Sequence, residues 1–274
     1  MHTLQFLKRL AGLALLAAGL GLAPAAQAGR SCQAHKPTTQ SVVRGLRLAE
    51  ITLASLNASG EKVVLLARAG QDLTQYGLRY SHLGLAYQVP DGQGGTTWQV
   101  LHKLNECGSA TASIYRQGLG EFFLDDPWRF EAAWLAPTPQ VQAQLLELLR
   151  DTGRSLRLHH KPYSLVSYAW GRQFQQSNQW AIETLAAAVE PGVTSREKAQ
   201  AWLQFKGYEP TTLKLGPLTR LGARVSAANV AFDDHPNDKR FSDRIETVTV
   251  DSVFDWLPRA QLSMPGRALT VLKL

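Results

Sequence analysis

The stretch Arg79-Tyr80-Ser81-His82-Leu83-Gly84-Leu85-Ala86-Tyr87 decides how the chain folds. Its side chains alternate with a period of two, so it reads as a strand with Tyr80, His82, Gly84 and Ala86 on one face. One histidine beside residues too small to cover it has the look of a site wall. Pro90-Asp91-Gly92-Gln93-Gly94-Gly95 is a turn-rich loop and Thr96 to Leu104 a second strand, so the pair forms a β-hairpin. On the second strand the same alternation groups Trp98, Val100, His102 and Leu104. A turn centred near Gly92 or Gln93 sets His102 opposite His82 or opposite Gly84. Either register brings the two rings within about 5 to 8 Å at Cβ, reach for a direct or water-bridged contact.

Upstream, Val42, Leu46, Ala49, Leu53 and Leu56 recur at three-to-four spacing over residues 38–58 and stop at Asn57-Ala58-Ser59-Gly60, an amphipathic helix with a stop signal. Lys62 to Arg68 is a buried strand, and Gln71 to Gly77 a connection. Downstream, Ser113 to Phe123 reads as a loop and short helix, and Phe130 to Ala136 as a strand. Thr138-Pro139 caps and starts a helix with Val141, Leu145, Leu148 and Leu149 on one side, ended by Gly153. Tyr163 to Tyr168 is strand-like. Gln175-Gln176-Ser177-Asn178-Gln179-Trp180 opens a helix with Ala181, Leu185 and Ala188 inward, stopped by Pro191-Gly192. Thr194-Ser195-Arg196-Glu197 has the capping-box pattern, with Trp202 and Phe205 as that helix's apolar anchors. A further helix over 218–231, a polar loop Asp233 to Asp238, a strand Ile245 to Val250 and a terminal helix Val253 to Leu257 complete the reading. The sum is α+β: an antiparallel sheet packed against helices, with a helical C-terminal elaboration.

The chain opens with Lys8-Arg9, a short apolar run Leu10 to Leu22, and Ala26-Gln27-Ala28. That pattern predicts a secretory signal peptide over 1–28, a single α+β domain over 29–274, and export, in a bacterium to the periplasm. The run is shorter than the roughly 20 residues needed to span a bilayer, and Gly29-Arg30-Ser31 before Cys32 is no lipidation box. Removing 1–28 takes two basic residues and no acid, leaving 27 basic against 22 acidic side chains, or +5. The charges are scattered rather than in a run, which argues against a nucleic-acid partner. Cys32 and Cys107 are the two cysteines. In an oxidising compartment they are expected to form one disulfide, worth on the order of 4 kcal/mol by the chain-entropy model. The alternative use is Cys107 as a free nucleophile.

The blocks Arg68 to Leu73, Arg79 to Leu85, His102 to Asn105, Tyr115 to Phe123, Gln176 to Leu185 and Phe232 to Pro236 resemble the bacterial domain of unknown function 2145. More distantly, the order of parts resembles the circularly permuted NlpC-type papain-like hydrolases. Those proteins carry a Ser-His-x-Gly-like strand, then a polar residue or histidine on the next strand, then a nucleophilic cysteine opening a helix. Ser81-His82-Leu83-Gly84, His102 and the helix opening at Gln176 to Trp180 match these elements, but no cysteine follows Cys107. The resemblance implies a papain-like fold and a cleft bounded by Tyr80, Gly84, Asn178, Gln179 and Trp180.

Without the thiol, two readings of the cleft stand. Ser177, a far weaker acid, would serve as nucleophile only with His82 as general base and His102 fixing the imidazole tautomer, in the manner of a serine triad. Otherwise Ser177 and Asn178 are N-cap residues of their helix. Zinc ligation by His82 and His102 lacks a close second pair at ligand spacing, Asp233-Asp234-His235 with Asp238 lacks a calcium-loop pattern, and His159-His160 is an exposed loop. No metal and no cofactor is expected. The sequence therefore points to an exported scaffold that binds a cell-envelope peptide, lipid or protein. A Ser177 (less readily Cys107) amide or ester hydrolase or acyltransferase is the alternative, and a structural envelope protein the third possibility.

Overall fold

The computed structural model describes residues 37–125 and 127–274, so the signal-peptide reading and Cys32 lie outside the described residues. In chain order the main elements are α1 (Thr39–Ser59), β1 (Val63–Arg68), β2 (His82–Pro90), β3 (Thr96–Asn105), β4 (Ala112–Gly118), α2 (Leu119–Leu124) and β5 (Glu131–Leu135). They continue with α3 (Pro139–Arg150), α4 (Thr152–Leu156), α5 (Ser177–Val189), α6 (Arg196–Phe205), β6 (Thr211–Lys214), α7 (Pro217–Ser226), α8 (Asn237–Arg240), β7 (Arg244–Thr247), α9 (Val250–Arg259) and β8 (Thr270–Lys273). Six strands form one sheet in the order β4-β3-β2-β1-β5-β8, with every pairing antiparallel. β6 and β7 form a separate antiparallel pair.

Helices cover both faces of the large sheet. That explains why all six residues of β1 are buried and why Val63 to Ala67 read as an unbroken apolar run rather than an alternation. On one face Leu83, Leu85, Tyr87 and Leu101 pack with Leu145 of α3, Trp180 and Leu185 of α5 and Trp256 of α9. On the other, Val64, Leu66, Ala86 and Val100 pack with Leu48 and Leu56 of α1 and with Phe122 and Phe123 of α2. Local chemistry sets the element ends. The Thr38 hydroxyl accepts from Ser41 N–H at 3.0 Å to start α1, and Gly60 ends it at φ 73°, a left-handed conformation glycine adopts without strain. The β2–β3 loop is closed by Asp91, whose Oδ1 accepts from Gln93 N–H at 2.8 Å and Gly95 N–H at 2.9 Å.

Several expectations are corrected. Ser113 to Gln117 is strand rather than loop: β4 is an edge strand paired with β3 at seven positions, and that ladder supplies an order its own mixed pattern does not advertise. β8 likewise adds an unexpected outer strand beside β5. Tyr163 to Tyr168 is not a strand; its polar groups are bonded in several directions, as in Leu165 N–H to Asn229 C=O at 2.8 Å, Tyr163 N–H to Ala110 C=O at 2.8 Å and Tyr168 N–H to Asp234 Oδ2 at 2.8 Å. α3 stops at Arg150, and Gly153 lies inside α4, because Asp151 ends one helix and its side chain caps the next. Ala199 and Leu203 anchor α6 with half-buried Trp202, while Phe205 is exposed. α7 ends at Ser226 rather than 231, and α9 begins at Val250 rather than 253.

Candidate functional site

β2 and β3 pair with Leu85 opposite Leu101 and Ala86 opposite Val100, a register that sets Gly84 opposite His102. This is the second of the two registers the loop allowed. His82 Nε2 lies 2.8 Å from His102 Nδ1, and His102 Nε2 lies 2.8 Å from Gln117 Oε1 on β4. With the Gln117 amide oxygen facing the ring, His102 donates from Nε2 and accepts at Nδ1 from His82 Nε2–H. Burial and the nearby Arg68 charge push His102 down to about 4, against the upward pull of its Gln117 bond, so it is neutral at physiological pH.

Phe122 roofs this pair. Its ring centroid is 5.2 Å from that of His102 and 5.9 Å from that of His82, and the Arg68 guanidinium sits over it at 4.9 Å. Arg68, opposite His82 in the β1–β2 register, also donates to the Phe122 carbonyl and pairs with Asp125. The roof depends on Gly84. A Cβ there would stand 2.4 Å from Val100 Cγ1 and 3.2 Å from Phe122 Cε2, so any larger residue forces the neighbours apart.

The start of α5 meets the opposite face of the same hairpin. Gln176 is the N-cap, its side chain accepting from Asn178 N–H at 3.0 Å. Asn178 Oδ1 accepts from Leu83 N–H at 2.9 Å, and its amide nitrogen donates to Val248 C=O at 3.3 Å and Ser81 C=O at 3.5 Å. Ser177 is buried close to the Tyr163 hydroxyl, which burial pushes up to about 12 against a smaller downward pull from Ser177. Gln179 accepts from Ser167 and donates to the carbonyls of Tyr168 and Ala169, and Trp180 is fully buried in the core. Leu83 faces α5, so alternation turns its neighbour His82 away, toward α1 and α2.

The structure thus brings His82 and His102 together and leaves Ser177 with Tyr163 on the other side of the sheet. Tyr80 is also displaced from its expected place: it precedes β2, donates to Glu131 at 2.9 Å and packs edge-on against Phe254 in the α5-side core. Cys107 stands in the exposed turn after β3, and no free cysteine occurs among the described residues. His159 and His160 are half-buried rather than exposed, and the His160 carbonyl accepts from Lys103. Asp233 pairs with Arg224 and Arg240, and His235 is buried between Asp234 and the Glu246 carbonyl. No metal-holding cluster of His, Cys, Asp and Glu occurs among the described residues.

A second buried network lies on the α5 face. Lys103, the residue after His102, donates to Gln175 Oε1 at 2.8 Å and to the His160 carbonyl at 2.6 Å. Gln175 donates to Glu183, which Arg196 and Gln200 also engage. Burial first, and then the Arg196 charge, lower the Lys103 ammonium to about 7, while Glu183 works in the opposite direction. Alternation already placed Lys103 on the inward face opposite to His102, and that was the available signal.

A family model described as "Uncharacterized protein conserved in bacteria (DUF2145)" matches residues 55–257, well over half of the chain. The chain belongs to this family. The matched span of this DUF2145 protein contains both buried networks, from Arg68 through Gln200. No curated protein and no solved structure matches it.

Proposed function

We propose that this DUF2145 protein is an exported, non-catalytic binding protein of the cell envelope, built on a papain-like scaffold whose nucleophile position has become structural. The observation that carries this reading is the engagement of the α5 start. Asn178 is tied to Leu83, Ser81 and Val248, Ser177 is buried beside Tyr163, and His82 faces the other side of the sheet. A serine nucleophile needs a base within hydrogen-bond reach, and here the two are separated by the sheet itself. Binding is supported by a groove of about 430 Å³ between the Thr74–Tyr76 turn and β6, with Tyr76, Thr212, Lys214 and Thr219 among its lining residues. The proposal includes the Cys32–Cys107 disulfide, expected from the oxidising compartment.

The test is covalent labelling of the folded, exported protein with a fluorophosphonate and with iodoacetamide, alongside amide and ester hydrolysis assays. The expected result is no labelling and no turnover. Labelling or turnover that Ser177→Ala and His82→Ala both abolish overturns the reading in favour of a hydrolase. Iodoacetamide labelling of Cys107 without prior reduction overturns the disulfide.

A further inference from the structure

Helix α7 is turned inside out. Leu218, Leu221 and Val225, at spacings of three and four, share one face and are 85%, 61% and 81% exposed, while the residue it buries is the small Ala223. A globular helix normally points its large apolar residues at the core, and a stripe of this kind rimmed by polar groups marks an interaction surface. The helix is held rigidly in this pose. Arg220 donates to the Leu215 and Arg240 carbonyls and to Asp243, and Arg224 grips Asp233 through two bonds of 2.9 and 2.8 Å. The Arg220 link also draws the end of α8 alongside, where Phe241 is 70% exposed.

Charge identifies the occupant. Arg220, Arg224, Lys239 and Arg240 are all in ion pairs within this region. Lys214 and Arg244 are exposed and take part in no ion pair among the described residues. They are directly opposite each other in the β6–β7 register, so two cations share one face at the end of β6 that leads into α7. Like charges in that position repel unless an anion lies between them. A rigid apolar stripe beside an unneutralised pair of cations is the pattern of a helix lying in an anionic lipid interface, apolar side toward the acyl boundary and cations at the phosphates.

We propose that α7 docks this protein on an anionic phospholipid surface, with Leu218, Leu221 and Val225 entering the interface and Lys214 and Arg244 meeting the lipid phosphates. This rests on the envelope-binding reading and names its ligand class. The test is co-sedimentation of the leaderless protein with vesicles of equal parts phosphatidylglycerol and phosphatidylcholine, and with pure phosphatidylcholine. Binding to the mixed vesicles alone is expected, weakened by roughly tenfold or more in a Leu218→Ser/Leu221→Ser/Val225→Ser variant and in a Lys214→Glu/Arg244→Glu variant. Circular dichroism confirms that both remain folded, as substitutions at exposed positions allow.

Failure of the wild-type protein to bind mixed vesicles overturns the proposal, as does a triple-serine variant that binds like wild type. A wild-type dimer that the triple-serine change dissociates, without vesicle binding, overturns it in favour of a second copy as occupant. Wild-type protein that ignores vesicles but is retained on peptidoglycan sacculi overturns lipid docking while leaving the envelope-binding reading intact. Ser177-dependent turnover overturns that broader reading whatever the vesicles show.

Discussion

The β2–β3 hairpin buries polar side chains on both faces, and the two faces do it differently. Toward α2, His82, His102 and Gln117 form a chain of ring and amide bonds in which His102 is kept neutral, roofed by Phe122. Toward α5, Lys103, Gln175, Glu183, Arg196 and Gln200 form a network anchored on an ion pair, in which Glu183 is fully buried. A neutral ring such as His102 asks mainly for geometry, since it needs only its hydrogen-bond partners. A buried charge also needs its counter-charge, because an ion left alone in the interior loses its hydration without compensation. The α5 face is therefore the one where deleting a member of the hairpin's own polar network has the larger effect; on the α2 face the buried charge is Arg68 of β1, paired with Asp125 beside Phe122, and the hairpin itself contributes mainly shape.

Glu183→Ala breaks the charged side most severely. It strands Arg196 and removes an acceptor from Gln175 and Gln200, and the expected loss is about 3–5 kcal/mol in urea denaturation. A loss below that of an exposed ion pair would mean water reaches the network.

Lys103 gives the same face a pH signature. Its folded-state value is lowered to about 7 from an ordinary 10.5, so between those pH values the unfolded chain holds a proton that the native protein does not. Stability therefore rises with pH across that window, and below about 7 the full cost of a buried ammonium is present. Lys103→Met is expected to flatten that rise in denaturation midpoints measured from pH 7 to 10; an unchanged slope would assign it to another group.

The neutral face is sharpened by Gly84→Ala. Its new Cβ collides with Val100 and presses on Phe122, and overpacking of this kind costs about 1–3 kcal/mol. The His82 and His102 ring resonances should shift in the NMR spectrum of the folded variant while the Tyr163 ring stays put. Equal shifts on both sides would show that the sheet does not insulate its faces.

The smallest effect belongs to Ser177→Ala. It removes a buried hydroxyl beside Tyr163, expected to cost ~1 kcal/mol in thermal or urea unfolding and, under the proposed function, to leave ligand binding unchanged. Loss of binding with stability intact would place Ser177 in the ligand site.

Much of this was legible from pattern. The hairpin, the strand over 63–68, the Thr138-Pro139 helix start and the helix opening near Ser177 follow from periodicity and cap chemistry that act within a few residues. So did the proximity of His82 and His102, because a hairpin register is set by its own turn. Edge strands β4 and β8 escaped notice because their order comes from the neighbour that pairs with them. Tyr80 lies on the side opposite to the one alternation predicts because β2 begins only at His82, and the period of two does not hold before it. The role of Glu183 was hidden because its partners Gln175, Arg196 and Gln200 are set around it by the packing of α5 and α6.

The sequence by itself determined that His82 and Leu83 point in opposite directions, since that is a property of any strand. Only the tertiary structure decided which of them faces α5. That choice is made by contacts such as Leu83 N–H to Asn178 Oδ1, between residues 95 apart in the chain. A period of two carries no record of which helix will pack on which face; burial of Leu83, Leu85 and Tyr87 against α5 does, and it turns His82 toward Phe122 and away from Ser177.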